Sequence, residues 1–141
     1  MTTVDQIMTP QPVTVKLDTS LAEIKQLFEN HEFHHLPVVN NGNQLAGIIS
    51  RKDLQKTYQL LSSKMAAATL TKIEPTFWQA HNIMTAYPLA LAPDDTVGLA
   101  ADIFLANKFH ALPIVDDGEL LGIVTSHDLL TLAFSQVLPN E

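Results

Sequence analysis

The sequence predicts an α+β protein made of two tandem units, each strand, helix, strand, strand, helix, packed about a pseudo-two-fold axis. Three observations predict it. The first is an internal repeat: Ile7-Met8-Thr9 and Pro12 return 76 residues later as Ile83-Met84-Thr85 and Pro88. The register holds through Asp18/Asp94, Phe28/Phe104, Phe33-His34/Phe109-His110, Leu36-Pro37/Leu112-Pro113, Val39/Val115 and Gly42/Gly118. One residue then drops out, and the match resumes at a shift of 75 with Leu45/Leu120, Gly47-Ile48/Gly122-Ile123 and Asp53-Leu54/Asp128-Leu129. The second is that each repeat switches from period-two to helical apolar spacing in the same order. The third is length. At 141 residues the chain suits one domain, and a half of about 60 residues is marginal alone, so the halves are expected to share a core. Duplicated units packed this way build paired clefts between them.

In the first unit Val13-Thr14-Val15 alternates into a short strand. Ser20 with Glu23 forms a capping box, opening a helix whose apolar face is Leu21, Ile24, Leu27 and Phe28. Leu36 to Val39 and Leu45 to Ile49 are strands joined by the turn Asn40-Asn41-Gly42-Asn43. Ser50 starts a second helix, with Leu54, Tyr58, Leu61 and Met65 on one face. The second unit repeats this with a strand at Leu89-Ala90-Leu91, a helix from Thr96 to about Lys108 and a strand from Leu112 to Val115. Asp116-Asp117-Gly118 is its turn, Leu120 to Val124 its last strand and Ser126 to Val137 its final helix. The expected organisation is unit one at 1–65, a linker at 66–79 that breaks up around Pro75, and unit two at 80–141.

Composition narrows the function. Hydrophobic residues make up 46% and charged residues 16%, an uncharged surface that invites self-association. No apolar run approaches the ~20 residues of a membrane span. The N-terminus lacks a basic stretch followed by an apolar one, so no secretory signal is expected. With no cysteine, thiol chemistry and Cys-zinc sites are excluded, and a cytoplasmic location is expected. Residues 80–141 carry eight acids against Lys108 alone, and Arg51 is the one arginine in the chain. Without a basic stripe there is no nucleic-acid footprint.

The Leu-Pro-hydrophobic-Val strand and the Gly-hydrophobic-hydrophobic-Ser/Thr-x-x-Asp segment, in this order of elements, resemble the cystathionine-beta-synthase (CBS) domain. The tandem pair resembles the arrangement called a Bateman module, and the likeness covers nearly the whole chain. The resemblance implies a stand-alone regulatory module, not an enzyme, with no cofactor. Its regulatory ligand would be AMP, ADP, ATP or S-adenosylmethionine, held in clefts between the units. It also implies a homodimer through the module helices and an unidentified regulated protein.

The binding residues it implies lie in Gly47-Ile48-Ile49-Ser50-Arg51-Lys52-Asp53 and Gly122-Ile123-Val124-Thr125-Ser126-His127-Asp128. In similar modules the aspartate, here Asp53 or Asp128, accepts from both ribose hydroxyls, and Ser50 or Thr125 contacts phosphate. The chemistry is sound: two carboxylate oxygens suit a vicinal diol, and a helix start offers free amides to an anion. Arg51, Ser126 and His127 lie at the presumed phosphate end. The resemblance also gives Thr9 to Pro12 and Thr85 to Pro88 as pocket-lining segments, with Val13, Val38, Leu89 and Ile114 as adenine contacts. A plainer reading stands beside it, because Ser50-x-x-Asp53 and Thr125-x-x-Asp128 also fit capping boxes.

His31-Glu32-Phe33-His34-His35 spells the zinc-protease string HExxH. That chemistry needs both histidines on one continuous helix, whereas this helix is expected to end near Asn30. The second unit reads Asn107-Lys108-Phe109-His110-Ala111 there and cannot chelate, so no metal site is expected. No serine elbow, phosphate loop or dinucleotide fingerprint occurs. The alternative to a ligand sensor is a ligand-free dimerising scaffold.

Overall fold

Ser20 begins the first helix as its sequence requires: its side chain accepts from the Glu23 amide at 3.2 Å. Thr96 does the same for Leu99 at 3.1 Å in the second repeat. Such caps are each worth about 1 kcal/mol. These details come from a computed structural model describing residues 1–67, 77–106 and 108–137. Of the expected linker, 68–76 lie outside the described residues.

The elements are, in order, a 3-10 turn at Val4–Gln6, β1 (Thr9–Pro10), β2 (Val15–Lys16), α1 (Leu21–Asn30), β3 (His35–Val39), β4 (Leu45–Ser50) and α2 (Arg51–Ala67). Then follow α3 (Ala80–Ile83), β5 (Thr85–Ala86), α4 (Val97–Leu105), β6 (Ala111–Asp116), β7 (Glu119–Thr125) and α5 (Ser126–Val137). They form a four-stranded sheet, β2-β3-β4-β5, and a three-stranded sheet, β1-β7-β6. The strand expected at Leu89-Ala90-Leu91 is reduced to one parallel bridge, Leu91 to Ile114. Pro88 and Pro93 flank that stretch, and a proline has no N–H to extend a ladder.

The compact units differ from the sequence halves. One unit is Val13–Tyr87; the other joins Met1–Pro12 to Pro88–Glu141. The cause is a reciprocal exchange of the segments that precede each repeat's first strand. β5, from the start of the second repeat, pairs antiparallel with β4 of the first, Gly47 opposite Ala86. β1, from the start of the first, pairs antiparallel with β7, Gly122 opposite Pro10. Backbone bonds repeat the pattern: Val4 N donates to Asp95 O at 2.8 Å, and Ala80 N to Thr19 O at 2.8 Å. Val4 and Ala80 are both fully buried, each in the core of its own unit.

Glycine permits this pairing. A Cβ on Gly47 would meet the Met84 side chain and stand 2.9 Å from Thr85 O. On Gly122 it would meet Met8 and stand 2.8 Å from Thr9 O. The residue lost from the second repeat shortens a turn. Asn40 Oδ1 closes the longer loop by accepting from Gly42 N at 2.9 Å and Gln44 N at 3.0 Å. The shorter one pairs Asp116 with Glu119 across Asp117-Gly118, both at positive φ (51° and 83°) as a two-residue hairpin requires.

Helix α1 buries Leu21, Ile24 and Phe28 against Leu36, Val38 and Ile49 of the sheet, while Leu54 and Leu61 of α2 join the same core. In the other unit Leu91, Ala100, Leu112, Ile114 and Val124 close around Val4. No helix among the described residues is long and apolar enough to cross a membrane.

Candidate functional site

Strand alternation decides which side chains share the sheet face away from the core. Leu36, Val38 and Ile49 face the core of their unit, so His35, Ile48 and Ser50 point to the opposite face. Register sets His35 across from Ser50 and Thr85 across from Ile48. In the other unit Ala111 lies across from Thr125 and Thr9 across from Ile123. Each sheet therefore carries, on one face, a Ser or Thr ending a strand and a Thr from the exchanged segment beside it.

At the strand-to-helix junctions the capping box closes in full at Ser50–Asp53 and in its carboxylate half at Thr125–Asp128. Ser50 N donates to Asp53 Oδ2 at 2.9 Å, and Asp53 N returns a bond to Ser50 Oγ at 3.0 Å. Thr125 N donates to Asp128 Oδ2 at 2.8 Å, and Thr125 Oγ1 reaches the same oxygen at 3.2 Å. The plainer reading is thus realised, but it does not exhaust the carboxylates. Each has about four lone-pair directions, and a capping bond occupies one or two. Both aspartates are half-buried, not sealed. The hydroxyls differ: Ser50 Oγ accepts and keeps its O–H to donate, whereas Thr125 directs its own at Asp128.

The other candidates separate. Val13 and Leu89 are about two-fifths exposed and can meet a ligand. Val38 and Ile114 are fully buried in the two cores, so neither side chain is available as an adenine contact. They lie on the inward parity of β3 and β6, which the apolar run Leu-Pro-hydrophobic-Val conceals. Arg51 does not stand free at the phosphate end. Its Nη2 donates to His31 O at 2.7 Å, and its guanidinium lies 5.2 Å from the Phe28 ring centre. Ser126 and His127 are exposed at the start of α5.

His35 is a residue that sequence reasoning missed. Opposed pairs on one sheet face hold their Cβ atoms about 5 Å apart, which makes His35 the cross-strand neighbour of Ser50. Alternation from Leu36 was the available signal. The HExxH string is not helical: α1 stops at Asn30 and His31 is extended at φ −134°, ψ 159°. Its Nδ1 lies 2.9 Å from Leu27 O and its ring stacks on Phe33.

The sequence model of the CBS domain matches residues 4–59 and 80–135, most of the chain. The chain belongs to the CBS domain family. Its similarity to an uncharacterized Methanocaldococcus jannaschii protein, MJ1426, is 32% identity over 85% of this chain and 84% of that one. It is 31% identical to a homoserine O-acetyltransferase of Methanocorpusculum labreanum over 96% of its own length. There it spans only 24% of the enzyme, about a quarter. Among solved CBS structures, CBSX2 in complex with AMP superposes with a TM-score of 0.81 at 29% identity, covering 97% of this chain and 98% of that one. The CBS domain pair of MJ0100, in complex with 5′-methylthioadenosine and S-adenosyl-L-methionine, gives 0.76 at 26% identity, covering 96% and 98%.

Proposed function

We propose that the chain is a regulatory module that binds an adenosine-containing ligand at one site per unit and passes that occupancy to a partner protein. The observation that carries this is the double occurrence of one construction. In each unit a strand ends in a Ser/Thr-x-x-Asp junction, with the exchanged Met-Thr segment paired beside it over a glycine. A cap alone needs neither the neighbouring segment nor the glycine. Two similar CBS pairs, CBSX2 and that of MJ0100, are in complex with AMP and with 5′-methylthioadenosine and S-adenosylmethionine, which favours adenosine as the shared part of the ligand. In this reading Asp53 and Asp128 take the ribose diol, Ser50 and Thr125 face the phosphate or its substitute, and Val13 and Leu89 border the base.

The two sites differ in charge. The Val13–Tyr87 unit holds seven Lys or Arg against six acids, while the other holds one Lys against nine acids. With cations and acids nearly balanced around it, the first site suits a phosphorylated ligand. The second, in a field of net −8, suits a neutral or cationic adenosine compound such as S-adenosylmethionine. Melting curves test this. AMP and S-adenosylmethionine should each raise the melting temperature at saturation, binding to the folded state at 100 times Kd contributing about 2.7 kcal/mol. Both effects should shrink as salt rises, since each rests on attraction between opposite charges. No shift with either compound would refute the reading.

The chain is further proposed to work as a cytoplasmic homodimer, consistent with its lack of cysteine. On α5, Leu130 and Phe134 are more than half exposed, and Leu99 and Leu105 of α4 are exposed in the same unit. Light scattering at micromolar concentration should give twice the chain mass, and Phe134→Glu should return it to the monomer mass. A native monomer would contradict this. Dimer formation with no adenosine binding would favour the alternative, a ligand-free scaffold.

A further inference from the structure

The chain has four methionines and no cysteine, so its only sulfur atoms are thioethers. Met8 and Met84 stand 76 positions apart at equivalent places in the repeat, directly before β1 and β5. Each packs its sulfur over a glycine of the strand that its segment joins. A Cβ on Gly47 would run into Met84 Sδ and lie 2.8 Å from Met84 Cγ. On Gly122 it would run into Met8 Sδ and lie 2.9 Å from Met8 Cγ. The space a side chain would take on each strand is thus filled by a thioether. Inwardly, both methionines join the apolar cluster of their unit. Outwardly, both remain half-buried and within reach of solutes. The strands they precede are short, each paired at two register positions.

We propose that Met8 and Met84 are oxidative modification sites, whose conversion to methionine sulfoxide by a peroxide unpairs the exchanged segments. A sulfur lone pair takes one oxygen of hydrogen peroxide, so an S–O bond forms and the O–O bond breaks. Sulfur loses two electrons; the departing hydroxide takes the proton of the transferred oxygen and leaves as water. The product is larger and more polar at the one atom that has no room toward the glycine. Its oxygen needs a hydrogen-bond donor, which water supplies and an apolar cluster does not. The side chain therefore turns outward and leaves the glycine uncovered. Thr85 lies across from Ile48 beside the Ser50–Asp53 junction, and Thr9 across from Ile123 beside Thr125–Asp128. Unpairing thus also opens both candidate sites, a consequence that rests on the adenosine reading, whereas the modification itself does not.

The test treats the native chain with hydrogen peroxide and follows the gain of oxygen at each methionine by peptide mapping. Met8 and Met84 should both convert, and the oxidised chain should melt at least about 3 °C lower, the scale for a polar group set in an apolar contact. The amides of Gln11 and Tyr87, which donate to Leu121 O and Ala46 O, should lose protection from hydrogen exchange. With the segment paired in about one molecule of ten, AMP affinity falls about tenfold. Methionine sulfoxide reductase should reverse all three changes. The double variant Met8→Leu, Met84→Leu keeps a similar volume and should show none of them. Mapping, exchange and reversal are read on the native chain, so they decide the matter even where the leucine pair misfolds. Resistance of both methionines, under peroxide that fully converts N-acetylmethionine amide, overturns the inference. So does full conversion with melting and protection unchanged, or an equal loss in the double variant. A native chain that binds neither AMP nor S-adenosylmethionine, yet loses melting temperature through Met8 and Met84, overturns the adenosine reading and upholds the modification.

Discussion

Phe28→Ala is expected to cost the fold about 3–5 kcal/mol, the usual loss for a fully buried phenylalanine. Phe28 is 1% exposed in the core of the Val13–Tyr87 unit. Its ring meets Phe33 edge-on at 5.7 Å between centroids, and Arg51 lies over it at 5.2 Å. The substitution thus removes apolar area, an aromatic pair and the seat that holds Arg51 at the start of α2. Its repeat partner Phe104 is only partly buried against the other core. Phe104→Ala should therefore cost clearly less. Urea unfolding followed by circular dichroism ranks the two. A loss below about 1 kcal/mol for Phe28→Ala would contradict the packing described for this unit.

Much of this architecture was legible from local signals. Ser20 and Thr96 announce helix starts because a cap is a short-range bond. The apolar stripes of α1 and α2 name their buried residues, since Leu21, Ile24, Phe28, Leu54 and Leu61 all lie in one core. The resemblance to the CBS domain carried the family and the two junctions. What stayed hidden depends on pairing between distant residues. β1 is Thr-Pro and β5 is Thr-Ala; two-residue strands carry no periodicity. Their partners lie over 110 and about 40 residues away in sequence. The exchange that makes each unit from both repeats was therefore invisible, although Gly47 and Gly122 recorded it. Within the site, sequence gave the residue types at each junction but not their directions. Arg51 turns back to His31 O, Val38 and Ile114 face inward, and His35 comes to Ser50 only through the register of β3 and β4.

The separation of capping from ligand binding rests on Asp53→Glu and Asp128→Glu. Glutamate is the residue a capping box usually carries at this position, so each variant can still accept from the amide of Ser50 or Thr125. Stability should stay within about 0.5 kcal/mol of the native chain. The added methylene, however, pushes the carboxylate into the space a ribose diol would occupy. Hydrogen bonds to a charged group are worth about 1.5–3 kcal/mol, a loss of roughly tenfold to more than a hundredfold in affinity. Each variant reads its own site: Asp53→Glu should mainly weaken AMP, and Asp128→Glu mainly S-adenosylmethionine. Titration calorimetry of the native chain and the two variants, with melting curves alongside, is the most direct measurement. The account predicts unchanged melting with a separate affinity loss in each variant. Undiminished binding of both compounds by both variants would leave Ser50-x-x-Asp53 and Thr125-x-x-Asp128 as helix caps and nothing more.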